Sequence, residues 1–359
     1  MTASDRRVLI TGAGTVTPFG RGLDALWAAV REGKEVPAAR LEDYAPPSNL
    51  DPAARAGLGR ASLLAVDVAI QAVEDAGLPF TAQTAPLIGV AFGTMEGERE
   101  KPVPGAPASS VARVLGVAGP LLSLEGPGSG LTALLEGFEM LKRAATPVVV
   151  VGAIDTVAVP EAAVAPGRPF AAGRSGYSLV EAACAVVLED AEIVEAREAR
   201  VYAEVLGGGM AFSRATVMDP SPNYVDAARA MRAALISAEV FQGEVETVFA
   251  GAWGDRLADE AEGRAIRDLW GPNADRLTVT SVQGATGFAP AASGLLSLVT
   301  ALRSLETGIV PPTAGCDKAD EPFAPLDIVT TSARAWRYNT VMVNAISEAN
   351  NVSVILRRA

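Results

Sequence analysis

Few residue types here can carry a proton or act as a nucleophile, and one is missing altogether: the 359 residues include no histidine. That removes the usual general base near neutral pH and the commonest metal ligand. Ser-His and Cys-His catalysis within the chain are both excluded. The two cysteines cannot complete a zinc site alone. Cys184 lies in Ala182-Ala-Cys-Ala-Val-Val-Leu188, an apolar run that predicts a buried, inert thiol. Cys316, beside Asp317 and Lys318, reads as an exposed loop cysteine with no base to activate it. Ser129 sits in Gly126-Pro-Gly-Ser-Gly130, which departs from G-x-S-x-G because Pro127 stands where that motif needs glycine. A tight turn packing a helix end is the better reading there than an anion site. Gly12-Ala-Gly14-Thr-Val-Thr17 lacks the third glycine of a dinucleotide fingerprint and is read as a structural turn. Asp259, Glu260 and Glu262 are read as a solvated helix face, not an acid–base pair.

Composition narrows the classes further. Hydrophobic residues make up 49% and charged residues 20%, as in a soluble globular protein with a sizeable core. The formal net charge of −12 repels phosphate backbones, so nucleic acid is not an expected partner. Apolar runs are strand-sized, which predicts no membrane span. With two free thiols and no apolar leader after Met1, the expected location is the cytoplasm.

Chemistry of any kind needs a frame to position it. Residues 8–11 read as a buried strand, 62–76 as a helix, 88–92 as a strand, 131–145 as a helix and 147–152 as an apolar strand. The plan then recurs: a strand over 183–188, one opening at 201, a helix over 224–237, a strand over 247–250, a helix over 295–305, and closing strands over 341–344 and 352–356. Alternation of this kind predicts an α/β fold with buried sheets. Two successive halves, 1–195 and 196–359, suggest internal duplication. Pro and Gly content marks loops at 102–107, 160–169 and 311–320.

Taken together, several segments resemble the β-ketoacyl synthases of the thiolase fold. They are Arg7-Val-Leu-Ile-Thr-Gly-Ala-Gly-Thr-Val-Thr-Pro-Phe-Gly20, Ala153-Ile-Asp155, Arg168-Pro-Phe170, Gly173-Arg-Ser-Gly176, Val180-Glu-Ala-Ala183 and Val310-Pro-Pro-Thr313, with residues 344–353 in place of the closing loop. The resemblance implies two pseudo-symmetric α/β halves in an α-β-α-β-α layering. The departures fall on the chemistry. Pro127 stands where the family carries its nucleophilic cysteine. Trp253 replaces the first histidine, Gln283 the lysine and Phe288 the second histidine. Proline cannot attack a thioester, and phenylalanine cannot donate a hydrogen bond to an enolate. Pro127, Trp253 and Phe288 are therefore expected to pack a vestigial pocket shut.

The resemblance implies a catalytically inactive partner of an active ketosynthase, the chain-length factor of type II polyketide systems. No cofactor or metal is expected, and acyl carrier protein would be met mainly through the partner subunit. Candidates for the tunnel wall near the heterodimer interface are Met95, Glu96, Ala106 and Ala108. The shortened segment 98–107 points to a system building reduced or polyene chains. Two other readings stay open: an independent enzyme using Cys316 or Ser129, and a non-catalytic acyl-binding scaffold.

Overall fold

A computed structural model describes residues 6–48, 50–79, 81, 83–101, 103, 105–157, 167–174, 176–213 and 223–359. Most of the loop expected over 160–169, and Ser175 of the Gly173 to Gly176 motif, lie outside them.

Ten strands form the frame. The first half supplies β1 (Val8–Thr17), β2 (Ile88–Thr94), β3 (Leu121–Glu125), β4 (Val148–Asp155) and β5 (Ala182–Asp190). The second supplies β6 (Ala203–Phe212), β7 (Thr247–Phe249), β8 (Thr278–Thr280), β9 (Thr340–Ala345) and β10 (Asn350–Arg358). The spatial order is β3-β2-β4-β5-β1 in the first half and β8-β7-β9-β10-β6 in the second. Numbered within its own half, each reads 3-2-4-5-1. The fifth strand is antiparallel to its neighbours in both halves, and the strands on its far side run parallel. The halves meet where β1 pairs with β6, Val8 opposite Val205 and Ile10 opposite Ala203.

Helices cover both faces of the joined sheet. They are α1 (Leu23–Arg31), α2 (Arg60–Ala76), α3 (Ala108–Leu115), α4 (Ser129–Lys142), α5 (Tyr224–Ser237), α6 (Arg256–Trp270) and α7 (Ser293–Thr307). β5 shows how period-two alternation divides the core. Ala183, Ala185 and Val187 pack outward with Leu64, Val68 and Ala72 of α2. Cys184, Val186 and Leu188 pack inward with Leu134 and Phe138 of α4 and Leu295 and Val299 of α7. In the second half Ile355 faces Met231 of α5 and Ile266 of α6, while Val352, Val354 and Leu356 face the central helices. The layers therefore run α2/α3, sheet, α4/α7, sheet, α5/α6, as expected. Strands buried on both faces explain the unbroken apolar runs.

The glycine turn expected at Gly12-Ala-Gly14 is instead the middle of β1, which continues to Thr17. The glycines serve close approach. A Cβ on Gly12 would stand 2.7 Å from the Ala76 nitrogen, and one on Gly14 2.6 Å from the Gln71 Cβ. α2 thus lies directly on the strand, as only residues without a side chain permit.

Candidate active site and adjoining cavity

The turn before α4 is built by glycines in the left-handed region. Gly128 has φ 73° and its N–H donates to Pro290 O at 2.8 Å. Ser129 opens α4, buried, with no imidazole available to it. Pro127, just ahead, is half-buried.

Across the sheet, the loop after β7 carries Trp253, and the short helix Gln283–Thr286 leads to Phe288. The two rings touch, with centroids 3.5 Å apart and planes at 64°. Tyr177 closes the group at 5.7 Å from Trp253 and 5.5 Å from Phe288. Trp253 and Phe288 are buried and form their own apolar cluster with Ala258. Gln283 Nε2 donates to Gly251 O at 2.9 Å, which ties the amide to the backbone. Gln283 Oε1 and Trp253 Nε1 are buried without a hydrogen-bond partner. Among Gly128, Trp253, Gln283, Phe288, Ser293 and Ser347 there remains a cavity of only about 10 Å³, at the lower limit for a single water. Its two hydroxyls are engaged: Ser293 Oγ accepts from Ala289 N at 2.9 Å, and Ser347 Oγ donates to Asn350 O at 2.7 Å. The pocket lining thus has no thiol, imidazole or amine. Trp253 and Phe288 do the filling; Pro127 does not line this cavity.

Behind the aromatic pair, the expectation of a solvated acidic face is overturned for two of its three residues. Glu260 is exposed, but Asp259 and Glu262 are fully buried. Asp259 accepts from Phe170 N at 2.8 Å, Trp253 N at 3.0 Å and Gly254 N at 3.2 Å, with the Arg174 guanidinium 3.6 Å away. Glu262 Oε1 accepts from Gly251 N at 3.0 Å and Asn344 Nδ2 at 2.9 Å. These carboxylates hold the loop that presents Trp253. Burial pushes each up to about 7, against the pull of the hydrogen bonds. Cys316 is also buried, not exposed as expected. Burial, with Asp259 and Asp317 nearby, pushes its thiol up to about 11. Cys184 is buried as expected and likewise raised.

A second cavity, of about 600 Å³, opens on the other side of Phe288 and Pro290. The wall between them is tied by Phe288 N donating to Ser178 O at 2.8 Å and Val180 N to Phe288 O at 3.0 Å. Met95, Glu96, Arg99, Val157 and Leu179 line the cavity, with Asp155 at the end of β4. Glu96 is ion-paired with Arg99. Sequence reasoning passed over Asp155, although a carboxylate ending an all-apolar strand is a signal. Ala106 and Ala108 do not line this cavity. Ala106 is buried, and Ala108 packs in the outer core of the first half.

Among the described residues, no helix is long and apolar enough to cross a membrane, and no cluster of three metal-ligating side chains occurs.

Comparison with known proteins matches this geometry. Residues 202–317 match the model of the β-ketoacyl synthase C-terminal domain. Over 98% of its length the chain is 28% identical to 3-oxoacyl-[acyl-carrier-protein] synthase 2 of Coxiella burnetii, 99% of which is covered. It is 29% identical to the tetracenomycin polyketide synthase ketoacyl synthase alpha subunit of Streptomyces glaucescens, over 94% of each chain. The solved ishigamide ketosynthase/chain length factor superimposes with a TM-score of 0.88 at 26% identity over 99% of both chains. A repeated 3-2-4-5-1 sheet, the thiolase-like layering and these full-length matches place the chain in the ketoacyl-synthase family.

Proposed function

We propose that this chain is the non-catalytic, chain-length-factor partner of an active β-ketoacyl synthase in a type II polyketide synthase. The observation that carries the reading is the closed pocket. Where an acyl thioester and an enolate must be held, Trp253 and Phe288 are in ring contact and about 10 Å³ remains. Claisen condensation needs a nucleophile and two hydrogen-bond donors at one point. Pro127, Gln283 tied to Gly251, and Phe288 supply neither.

The likeness to the ishigamide ketosynthase/chain length factor and to the tetracenomycin ketosynthase subunit supports a place beside an active ketosynthase. In this reading Met95 and Glu96 contribute the tunnel wall through the 600 Å³ cavity they line. Ala106 and Ala108, set in the chain's own packing, act at most through the shape of the interface. Acyl carrier protein, itself acidic, docks mainly on the partner subunit, since a chain of net charge −12 repels it. The buried, raised thiol of Cys316 counts against an independent enzyme built on that residue.

The test is co-expression with a ketosynthase that carries the cysteine and both histidines, followed by size exclusion with mass measurement and malonyl elongation assays. A stable 1:1 complex that elongates, with this chain inert alone, is the expected result. A homodimer that ignores the ketosynthase, or condensation by this chain alone, overturns the reading.

A further inference from the structure

The open cavity contains one polar group whose hydrogen bonding is unfinished. Asp155 Oδ2 accepts from Ala291 N at 2.8 Å and Ala292 N at 2.9 Å, at the start of α7. Asp155 Oδ1 is buried and has no hydrogen-bond partner. The backbone N–H of Met95 also helps hold the charge, but makes no hydrogen bond to Oδ1. A buried acceptor left in this state costs about 1–3 kcal/mol unless something arrives to satisfy it. The surrounding wall is mostly apolar: Met95, Val157, Leu179, Val180 and Pro290. Its charges are Asp155 and Glu96 against Arg99, and Arg99 is already paired with Glu96. A carboxylate ligand would therefore be repelled by Asp155 and find no free cation among the described lining residues.

We infer that this cavity binds an aliphatic chain bearing a hydroxyl group, and that Asp155 Oδ1 is the atom that selects for it. The hydroxyl is singled out because it suits the carboxyl in either protonation state. It donates to the carboxylate and accepts from the carboxylic acid. Burial pushes this group up to about 7, against the pull of the Ala291 and Ala292 N–H groups, so both states are populated near neutral pH. A ketone can only accept and so meets only the protonated form. An ether has the same limit. Specificity of this kind, in which a buried polar atom rejects a ligand unable to complete its bonding, is stronger than discrimination by shape.

This inference deepens the partner reading by naming the chain it accommodates, and its test is separable from that reading. The probes are three neutral molecules of matched shape, 2-decanol, 2-decanone and 2-methoxynonane, titrated by calorimetry into the full chain alone and in any 1:1 complex it forms. At neutral pH the alcohol is expected to bind roughly tenfold or more tighter than the ether, the loss expected for an unsatisfied buried acceptor. Asp155→Asn places a fixed N–H donor where Oδ1 stood, so the ketone and ether are expected to gain and the alcohol to lose its lead. Raising the pH through 7 should weaken the ketone and leave the alcohol bound. Equal binding of the three probes, no saturable binding, or an unchanged preference in Asp155→Asn each overturns the inference. A chain that pairs with the ketosynthase but ignores the probes loses only this inference. One that binds the alcohol selectively but never pairs loses only the partner reading.

Discussion

Two cavities share the wall made by Phe288 and Pro290, and their contents are opposite. On one side Trp253 and Phe288 press together and the space has shrunk to about 10 Å³. On the other side about 600 Å³ stays open, with a carboxylate oxygen left unsatisfied in it. Packing is the cheaper state for an apolar hollow, because every unfilled gap loses dispersion contacts. Closure of the first cavity thus needs no special explanation once its chemistry is gone. The second is the one that calls for a reason, and a ligand or partner surface is the physical one.

The comparison can be broken by mutation. Phe288→Ala should cost about 3–5 kcal/mol, because it empties a filled core site and removes the partner of the Trp253 ring. Denaturant unfolding of variant and parent measures this. A cost below 1 kcal/mol would mean that the aromatic pair is not the plug described.

Next in size is the pH dependence of the carboxylates behind the plug. The folded values of Asp259 and Glu262, near 7, lie above the ordinary range, so between about pH 4 and 7 the native state binds more protons than the unfolded one. The penalty is absent below pH 4, grows across that window and is complete above 7. Stability should therefore fall as pH rises from 4 to 7. Glu262→Gln keeps Oε1 as acceptor for Gly251 and Asn344, and should flatten the fall and stabilise at pH 8 by roughly 1–3 kcal/mol. Calorimetric midpoints from pH 4.5 to 8 read this out, and an unchanged slope would show that Glu262 ionises as freely as in the unfolded chain.

A double-mutant cycle of Trp253→Ala and Phe288→Ala should show a coupling of roughly 0.5–3 kcal/mol, as contacting rings do. Additive losses would place the two rings in separate packing units. Smallest is Leu179→Ala in the open cavity, where nearly half the side chain is exposed. It should change stability by only about 0.5 kcal/mol or less. A loss comparable to that of Phe288→Ala would remove the distinction between the two sides.

Much of the frame was readable from spacing. The helix expected over 224–237 is α5 to the residue, and the paired α/β halves reappear as one strand order used twice. What escaped did so for identifiable reasons. Glycines mark turns in most contexts, and nothing local to Gly12 and Gly14 announces that α2 will lie against them. Asp259 and Glu262 looked solvated because charge usually is. Yet positions 259, 262, 266 and 269 form one helical stripe ending in Ile266 and Leu269, so burial was legible in the period. The tunnel candidates came from family layout across a shortened segment. Met95 and Glu96 lie on the open cavity, while Ala106 and Ala108 fall elsewhere. Asp155 could be seen in the sequence, but its unfinished hydrogen bonding belongs to the tertiary structure alone.

The junction of the halves also bears on how the protein is made. β1 is the first strand to leave the ribosome, yet its partners are β5 and β6, with Val8 opposite both Asp190 and Val205. At roughly 5–20 residues per second, the nascent chain carries that apolar strand without a neighbour for on the order of ten seconds or longer. During that time Val8, Leu9 and Ile10 are open to any other unpaired edge. Production should therefore be limited by what shields the emerging N-terminus, and slowing synthesis should lower the soluble yield by lengthening that exposure.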